Sequence, residues 1–289
     1  MKNITVLFMY LTLLIACNGG DNPEIAIQEP VSETPATEPT VGTAWNLVFE
    51  ENFDTDLSKW NVWESGAFNN EVQLYQKEQA SLENGILTIT SQREEVTGAT
   101  FPFDDTPKDF EYVSARMETL SMFGPSNAQG ELEYRIMARI QLPKGNGMWP
   151  AFWSTSDPWP TNGEIDILEA RGNQPMQFQS NLFYGPTANT PITRNEDTEI
   201  VHQVNTDLTE DFHVYELIWR SNSLEIRFDD QVIHTYTANA KNYVTEFFGK
   251  KHSIILNLAV GGFFFSDSDA TNFADTATMK VDWVKVYKR

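Results

Sequence analysis

The chain is poor in cysteine and in basic residues. It has one cysteine, Cys17, in 289 residues, so no disulfide can form within it and the fold must depend on its core. Its 20 Lys and Arg residues face 41 Asp and Glu, for a net charge of −21. Such a charge disfavours nucleic acid, anionic membrane surfaces and strongly sulfated polysaccharides as partners, and it favours a neutral polymer.

Several structural and catalytic patterns are also missing. Beyond the N-terminal segment, no stretch of about twelve residues has the amphipathic period of a helix, and there is no internal repeat. No Gly-rich phosphate loop or Ser–His–Asp arrangement stands out. The histidines show no metal-ligand spacing, so we expect surface or hydrogen-bonded structural roles for them; they are His202, His213, His234 and His252.

The N-terminus has the pattern of an export signal. Lys2 precedes a nearly continuous apolar run from Val6 to Ala16, which is too short to span a bilayer. The sequence Leu14-Ile15-Ala16-Cys17 resembles the lipobox of bacterial lipoproteins. This resemblance implies a signal peptide over residues 1–16, a lipid on Cys17, and a lipoprotein of the cell envelope, at the outer membrane or the cell surface. The alternative is a plain secretory signal with an incidental cysteine.

Residues 17–43 are expected to form a tether. From Asn18 to Thr43 there are four prolines and five acids but no base and no aromatic residue, a composition that cannot bury enough surface to fold. The composition changes abruptly at Trp45, so we place a single folded domain at residues 44–289.

The domain reads as strands. Apolar and polar residues alternate from Glu131 to Leu142, which predicts a long strand with one buried face. Leu224 to Ile233 reads as a hairpin that turns through Asp229-Asp230-Gln231, and Met279 to Tyr287 reads as a closing strand. One all-β domain, most simply a sandwich, follows.

An acidic strand is the main candidate for chemistry. Glu164, Asp166 and Glu169 lie among β-branched and leucine residues. Strict alternation places Glu164 and Asp166 on one face and Glu169 on the other, unless a β-bulge adds one residue and resets the parity. Two carboxylates that flank a bond suit glycoside hydrolysis, in which one attacks the anomeric carbon or activates water and the other protonates the leaving oxygen. A hydrogen bond from Asp166 to Glu164 is expected to tune their titration. The competing interpretation is a solvent-exposed acidic strand.

This strand and its flanks resemble the active-site strand of glycoside hydrolase family 16, in the bulged form of its laminarinase (endo-β-1,3-glucanase) branch. Further similar segments occur in the family's order and cover Trp45 to Arg289. The matching segments are Trp159 to Asn173, Asn69-Asn70-Glu71-Val72-Gln73, Leu142 to Gly145 with Met148 to Trp153, Leu256 to Gly262, and Val281 to Tyr287.

The resemblance implies a β-jelly-roll of two antiparallel sheets with a concave substrate cleft, and hydrolysis with retention. It makes Glu164 the nucleophile, Glu169 the general acid/base and Asp166 the assistant. It implies no cofactor for catalysis and a monomeric catalytic domain. Residues that it assigns to substrate binding are Asn70, Arg116, Trp149, Trp153, Tyr184 and Asn257. A structural Ca²⁺, which many members carry, would lie at Asn52, Gly85 and Asp282.

Two departures from the family pattern concern the substrate. Phe183 stands where laminarinases usually have histidine, which removes a possible hydrogen bond. Phe263-Phe264-Phe265 replaces the usual Asn-Trp-Pro, and these rings either form a stacking surface or plug the edge of the sandwich. For Trp149 and Trp153 the alternative to a cleft role is a place in the core.

The sequence therefore predicts an endo-acting hydrolase of β-1,3-glucan. One alternative keeps the same machinery for mixed-linkage β-glucan or for a galactan such as agar. Another is a non-catalytic glucan-binding protein on this fold. Such proteins generally lack one catalytic acid, whereas all three are present here.

Overall fold

The alternating segments form the predicted strands. The computed structural model of the protein describes residues 45–125, 133–192, 198–237, 243–265 and 270–289. Cys17, the signal segment and the tether lie outside these ranges and remain predictions. The strands are β1 Asn46–Glu51, β2 Trp60–Val62, β3 Gln73–Tyr75, β4 Ala80–Glu83, β5 Ile86–Phe101, β6 Asp104–Ser114, β7 Arg116–Thr119, β8 Glu133–Gln141, β9 Met148–Thr155, β10 Glu164–Glu169, β11 Gln177–Phe183, β12 Ile200–Gln203, β13 His213–Arg220, β14 Ser223–Phe228, β15 Gln231–Thr237, β16 Ser253–Val260 and β17 Thr276–Lys288.

Helical structure is minor among the described residues. It consists of one short helix, α1 at Tyr243–Phe247, and 3₁₀ turns at Lys77–Gln79 and Ala270–Asn272. In the part of the chain that the structure describes, no helix is long and apolar enough to cross a membrane.

The strands form two sheets. The smaller, seven-stranded sheet has the order β12-β11-β10-β9-β16-β7-β2. The larger, ten-stranded sheet has the order β15-β14-β13-β8-β17-β5-β6-β3, with β1 paired to β17 and β4 to β5. Only the β3–β6 pairing is parallel among these. The predicted all-β jelly-roll of two largely antiparallel sheets is confirmed.

The core lies between the two sheets. Ile136 and Leu217 from the larger sheet and Ile165 and Leu256 from the smaller one belong to a single buried cluster. Trp219 of β13 is the largest fully buried side chain, and its indole nitrogen donates to the Phe248 carbonyl oxygen at 2.9 Å. Because one face of the smaller sheet is committed to this core, its other face is free to carry polar chemistry.

The predicted strands and hairpin are confirmed, with one difference in burial. Asp229 and Asp230 both have positive φ angles, of 45° and 64°, as a two-residue turn between β14 and β15 requires. In β8, however, the polar face is partly buried as well. Arg135 is only 5% exposed, because its guanidinium donates two hydrogen bonds to the buried carboxylate of Glu216, at 2.7 and 2.8 Å.

Candidate active site

The acidic strand β10 contains the predicted bulge. Between Asp166 and Glu169 the chain advances three residues, while the partner positions on β11 advance only two, from Asn181 to Gln179. The register with β9 shifts in the same segment. One extra residue therefore resets the alternation, and Glu169 returns to the face that carries Glu164 and Asp166.

The apolar residues of β10 show why this register is held. Ile165, Ile167 and Leu168 are 0% exposed and belong to the core between the sheets. A slip by one residue would turn them towards solvent and bury the acids unpaired, which is strongly unfavourable. Core packing thus positions the carboxylates on the outer face of the smaller sheet, and the interpretation as a solvated acidic strand does not hold.

Indole N–H groups hold the two outer carboxylates. Trp159 Nε1 donates to Glu164 Oε2 at 2.9 Å, and Trp149 Nε1 donates to Glu169 Oε1 at 2.9 Å. Each bond fixes a side-chain orientation and favours the ionised form of its acceptor. Trp149 is half-buried and bonded to a carboxylate, so it lies on the face that carries the acids rather than in the core.

Burial raises the pKa of all three carboxyl groups. The pKa of Glu169 rises to about 7, against the hydrogen bonds from Trp149 and Gln179 that lower it. The pKa of Glu164 is raised by burial and by the charge of Glu169, while Trp159 and Arg116 act in the opposite direction. These groups titrate as one coupled set, so the site holds fewer than three negative charges at neutral pH.

Asp166 is the most strongly perturbed of the three. Burial and the charges of Glu164 and Glu169 hold its pKa well above its ordinary value. Its Oδ2 atom is buried without a hydrogen-bond partner among the described residues, so the predicted bond to Glu164 is not formed through that atom. Burial and the neighbouring negative charges favour the protonated form of Asp166, which can act as a hydrogen-bond donor.

A row of cross-strand partners extends the site across the sheet. Glu169 pairs with Ala151 of β9, which pairs with Asn257 of β16, which pairs with Arg116 of β7. Cross-strand partners share a face. The predicted residues Arg116 and Asn257 therefore lie on the catalytic face.

Arg116 and Asn257 are held tightly by aromatic neighbours. The Arg116 guanidinium carbon lies 3.7 Å from the ring centroid of Trp63 and 4.7 Å from that of Trp153. Trp153 Nε1 donates to Asn257 Oδ1 at 2.7 Å, and Asn257 Nδ2 donates to the Tyr75 hydroxyl at 3.3 Å. The amide of Asn257 is thus used within the protein, where it orients Trp153.

Glu71 is a buried carboxylate of this face that the sequence reasoning did not single out. It is 7% exposed, and it accepts hydrogen bonds from Gln73 at 2.8 Å and from Tyr75 and Asn69 at 3.3 Å. The signal was present, because Glu71, Gln73 and Tyr75 alternate with apolar residues and must share a face. Through Tyr75 and Asn257, Glu71 supports Trp153.

Two other residues that were predicted to bind substrate, Asn70 and Tyr184, differ from each other in exposure. Asn70 is exposed in a left-handed turn, with φ of 57°, so its amide can meet a ligand. Tyr184 requires a correction: it is 2% exposed and belongs to the core. Its ring stacks on Tyr243 at 4.8 Å and an interplanar angle of 8°. A buried ring cannot present a face to a sugar.

The three phenylalanines divide between the two predicted roles. Phe264 stacks on Trp149 with centroids 4.4 Å apart and 9° between planes. The Arg171 guanidinium covers Phe264 at 3.7 Å from its ring centroid. Phe265 packs 6.0 Å from Phe273 of the core, whereas Phe263 is 74% exposed. Phe264 therefore occupies one face of the Trp149 indole.

Phe183 lies beside the nucleophile candidate. It is the cross-strand partner of Glu164, and its ring centroid is 6.4 Å from that of Trp159. The ring that replaces the usual imidazole thus contributes an apolar surface next to Glu164.

Some of the oxygen atoms at the predicted calcium position are placed as ligands of the ion would be, and others are not. A Cβ placed on Gly85 would lie 3.1 Å from Asp54 Oδ1 and 3.6 Å from the Asn52 carbonyl oxygen, so oxygens converge there. The Asp282 carboxylate, however, already accepts a hydrogen bond from Arg139 through Oδ2 at 2.5 Å. No cluster of three or more His, Cys, Asp or Glu that could hold a metal occurs within the described ranges.

Known proteins resemble this chain over most of its length. The family model for glycosyl hydrolases family 16 matches residues 68–285. A glucan endo-1,3-beta-glucosidase of Cryptopygus antarcticus is 33% identical over 270 residues, which cover 84% of this chain and 92% of that protein.

Solved structures of family 16 proteins are also similar to this chain. An endo-beta-1,3-glucanase from Pyrococcus furiosus aligns with a TM-score of 0.69 and 30% identity, over 84% of this chain and 94% of that one. A family 16 protein of the Bacteroides ovatus mixed linkage glucan PUL aligns with a TM-score of 0.65 and 27% identity, over 82% and 99%. Together with the bulged acidic strand, the family match identifies the chain as a member of glycoside hydrolase family 16.

Proposed function

We propose that this family 16 glycoside hydrolase cleaves β-1,3-glucan internally and with retention. The observation that carries the proposal is β10, whose bulge presents Glu164, Asp166 and Glu169 on one face, with an indole N–H on each outer carboxylate. The relatives named for endo-1,3-glucan cleavage support the substrate, and the negative surface of the chain suits a neutral polymer.

In the proposed mechanism Glu164 is the nucleophile. Its carboxylate attacks the anomeric carbon and forms a glycosyl–enzyme bond while the bond to the leaving oxygen breaks. Burial and the charge of Glu169 raise the pKa of Glu164 to about 8, and the N–H of Trp159 and the positive charge of Arg116 act against this rise. The attacking form is therefore the one in which Asp166 and Glu169 carry the protons of the coupled set and Glu164 is ionised. The buried Asp166 keeps a proton, which spares Glu164 a third negative charge on the same face.

Glu169 is the proposed general acid and base. Its pKa of about 7 leaves about half of the molecules with a protonated Glu169 at neutral pH, and more below it, so Glu169 can donate a proton to the leaving oxygen. It then removes a proton from the water that hydrolyses the glycosyl–enzyme. Trp149 holds its Oε1 atom, so the same carboxyl is oriented for both steps.

Isosteric substitutions test the assignment. Glu164→Gln and Glu169→Gln should each lower laminarin hydrolysis by at least about a thousandfold, as expected for loss of a nucleophile or a general acid, while far-UV circular dichroism stays unchanged. The matched control is Glu83→Gln, an exposed carboxylate of β4, which should retain full activity. Substantial activity in Glu164→Gln would refute its role.

The polymer itself is tested by product analysis. The domain is incubated with laminarin, lichenan, agarose and carrageenan, and product sizes are measured. A ladder of oligosaccharides from laminarin supports the proposal. Cleavage of lichenan in preference would favour the mixed-linkage alternative, which the Bacteroides ovatus neighbour supports, and cleavage of agarose would favour a galactan. Binding without products from any polymer would favour a glucan-binding protein.

We further propose that the structural Ca²⁺ site is formed by backbone oxygens of Asn52, Gly85 and Asp282, with the Asp54 carboxylate beside them. The ion would join the start of the domain to β17 and takes no part in the chemistry. Chelation should therefore lower the melting temperature, and Asp54→Asn should weaken the response to added Ca²⁺. A melting temperature indifferent to chelator would refute the site.

Localisation and assembly are proposed from the sequence. Lipidation of Cys17 would hold the catalytic domain at the outer membrane on a 17–43 tether. Lipidation is tested with labelled palmitate. The full chain should incorporate the label, and Cys17→Ala should not. We expect a monomeric catalytic domain, which light scattering of the purified domain measures directly.

A further inference from the structure

A group of exposed aromatic side chains lies beyond the cleft, on the long hairpin β5–β6 and on the loop before β3. Phe103 at the hairpin tip is 78% exposed, and Phe68 of the loop is 42% exposed. Their rings are ordered with respect to each other and to Phe101. Phe101 lies 5.2 Å from Phe68, at 14° between planes, and 5.6 Å from Phe103, at 18°.

These rings are continuous with the catalytic face. Trp63 lies 6.3 Å from Phe68 in edge contact, and its other neighbour is the Arg116 guanidinium, 3.7 Å from the Trp63 centroid. Arg116 in turn covers Trp153 of the cleft. We call Trp63, Phe68, Phe101 and Phe103 the aromatic track; it begins where the catalytic face ends, at the β7–β2 edge of the smaller sheet.

Backbone hydrogen bonds fix the track in place. Trp63 N donates to the Arg116 carbonyl oxygen at 3.0 Å, and Gly66 N donates to the Ala99 carbonyl oxygen at 2.8 Å. A Cβ on Gly66 would lie 2.4 Å from the Phe110 ring, so the loop packs closely against the hairpin. The rings are therefore pre-organised rather than gathered on binding, which lowers the entropic cost of ligand capture.

The rings of the track contribute little to the core, so core packing does not explain why these apolar side chains are exposed together. Contiguous exposed apolar surface on a monomer marks a binding site, and aromatic rings offer flat faces to the apolar C–H faces of sugars. The hairpin around them is acidic: Glu94, Glu95, Asp105 and Asp109 are exposed against a single exposed Lys108. This charge disfavours anionic lipid and sulfated chains and leaves a neutral polymer as the matching occupant.

We propose that the aromatic track is an extended binding site for the same neutral polysaccharide, which leaves the cleft past Trp153 and Arg116 and continues over Phe68 to Phe103. This inference rests on the proposed function, because it takes the cleft to bind a glucan. It makes the affinity of the enzyme depend on polymer length: a chain too short to reach the hairpin contacts only the cleft.

The test compares long and short substrates in matched variants. The double variant Phe68→Ala/Phe103→Ala should raise the ratio of KM for laminarin to KM for a short laminari-oligosaccharide about tenfold, equivalent to about 1.4 kcal/mol. The variant Phe68→Ala/Phe103→Tyr keeps the ring at position 103. Its KM ratio should therefore return most of the way to the wild-type value. The control is Val232→Ala, which should leave the ratio unchanged. Val232 is a 53% exposed apolar residue of β15, at the end of the larger sheet opposite to β5 and β6.

Binding without hydrolysis separates this inference from the proposed function. In the Glu164→Gln background, retention on insoluble β-1,3-glucan should fall when Phe68 and Phe103 are replaced by alanine. An unchanged KM ratio together with unchanged retention overturns the inference, even if laminarin is hydrolysed normally. If the same variants instead lose binding to neutral or anionic vesicles and keep the KM ratio, the track is a membrane contact and the inference is again overturned. Failure to hydrolyse any glucan, with retention intact, would refute the function but not the track.

Discussion

The coupled acids predict that the active site destabilises the folded protein above neutral pH. Burial and the charge of Glu169 raise the pKa of Glu164 from 4.5 to about 8. The folded protein therefore binds this proton more tightly than the unfolded chain. Ionisation of Glu164 costs no stability below about pH 4.5, and the cost grows as pH rises until it is complete above about pH 8.

The magnitude follows from the linkage between pKa and stability. The rise in the pKa of Glu164 corresponds to at most about 5 kcal/mol. Glu164 is only half-buried and shares its titration with Asp166 and Glu169, so solvent screening and redistribution of protons reduce the cost to about 2 kcal/mol. Glu164→Gln removes the charge while keeping the shape and should regain that amount.

Thermal melts measure the gain. At pH 8.5 Glu164→Gln should melt about 4–8 °C above the wild type, since about 1 kcal/mol moves the midpoint of a domain this size by about 2–4 °C. Near pH 5 the two proteins should melt within about 2 °C of each other. The exposed Glu83→Gln control should show no difference at either pH. An equal gain at both pH values, or none at pH 8.5, would show that Glu164 is not held in a charge-penalising environment.

Three further predictions concern individual contacts. Trp149→Phe removes the hydrogen bond that lowers the pKa of Glu169, so the alkaline limb of the kcat profile should move to higher pH; a limb that stays in place would contradict this. Burial lowers the pKa of His252 to about 4, so this residue contributes stability above pH 6.5 that is lost as pH falls towards 4. His252→Gln should flatten that part of the urea-unfolding profile, and an equally steep profile would argue against it. Tyr184→Ala should lower stability by about 3–5 kcal/mol through loss of a core ring, with KM for laminarin unchanged in the folded fraction; a selective rise in KM would restore Tyr184 to the cleft.

The catalytic strand was predictable because the spacing of its acids departs from the strict alternation of side chains along a strand. Three carboxylates on a strand with the spacing of Glu164, Asp166 and Glu169 can share a face only through a bulge, and the register shows one. The same alternation of polar and apolar residues also places Glu71 on one face with Gln73 and Tyr75, although the sequence analysis did not single out Glu71. Tyr184 was misplaced because a sequence segment does not say where a strand ends. The stacking of Phe264 on Trp149 joins a loop to a strand more than a hundred residues away in sequence, and no local pattern encodes such a contact.

The position of β17 has a consequence for how the protein is made. This strand is the most C-terminal of those described, yet it lies in the middle of the larger sheet, between β8 and β5, and it also holds β1. While the ribosome is still adding β17, the larger sheet consists of separate pieces that no hydrogen-bond ladder joins. The two sheets then cannot complete their shared core, so the nascent chain remains incompletely folded until the end of this domain has been synthesised. A premature stop that removes only β17 should therefore abolish the whole domain rather than shorten it.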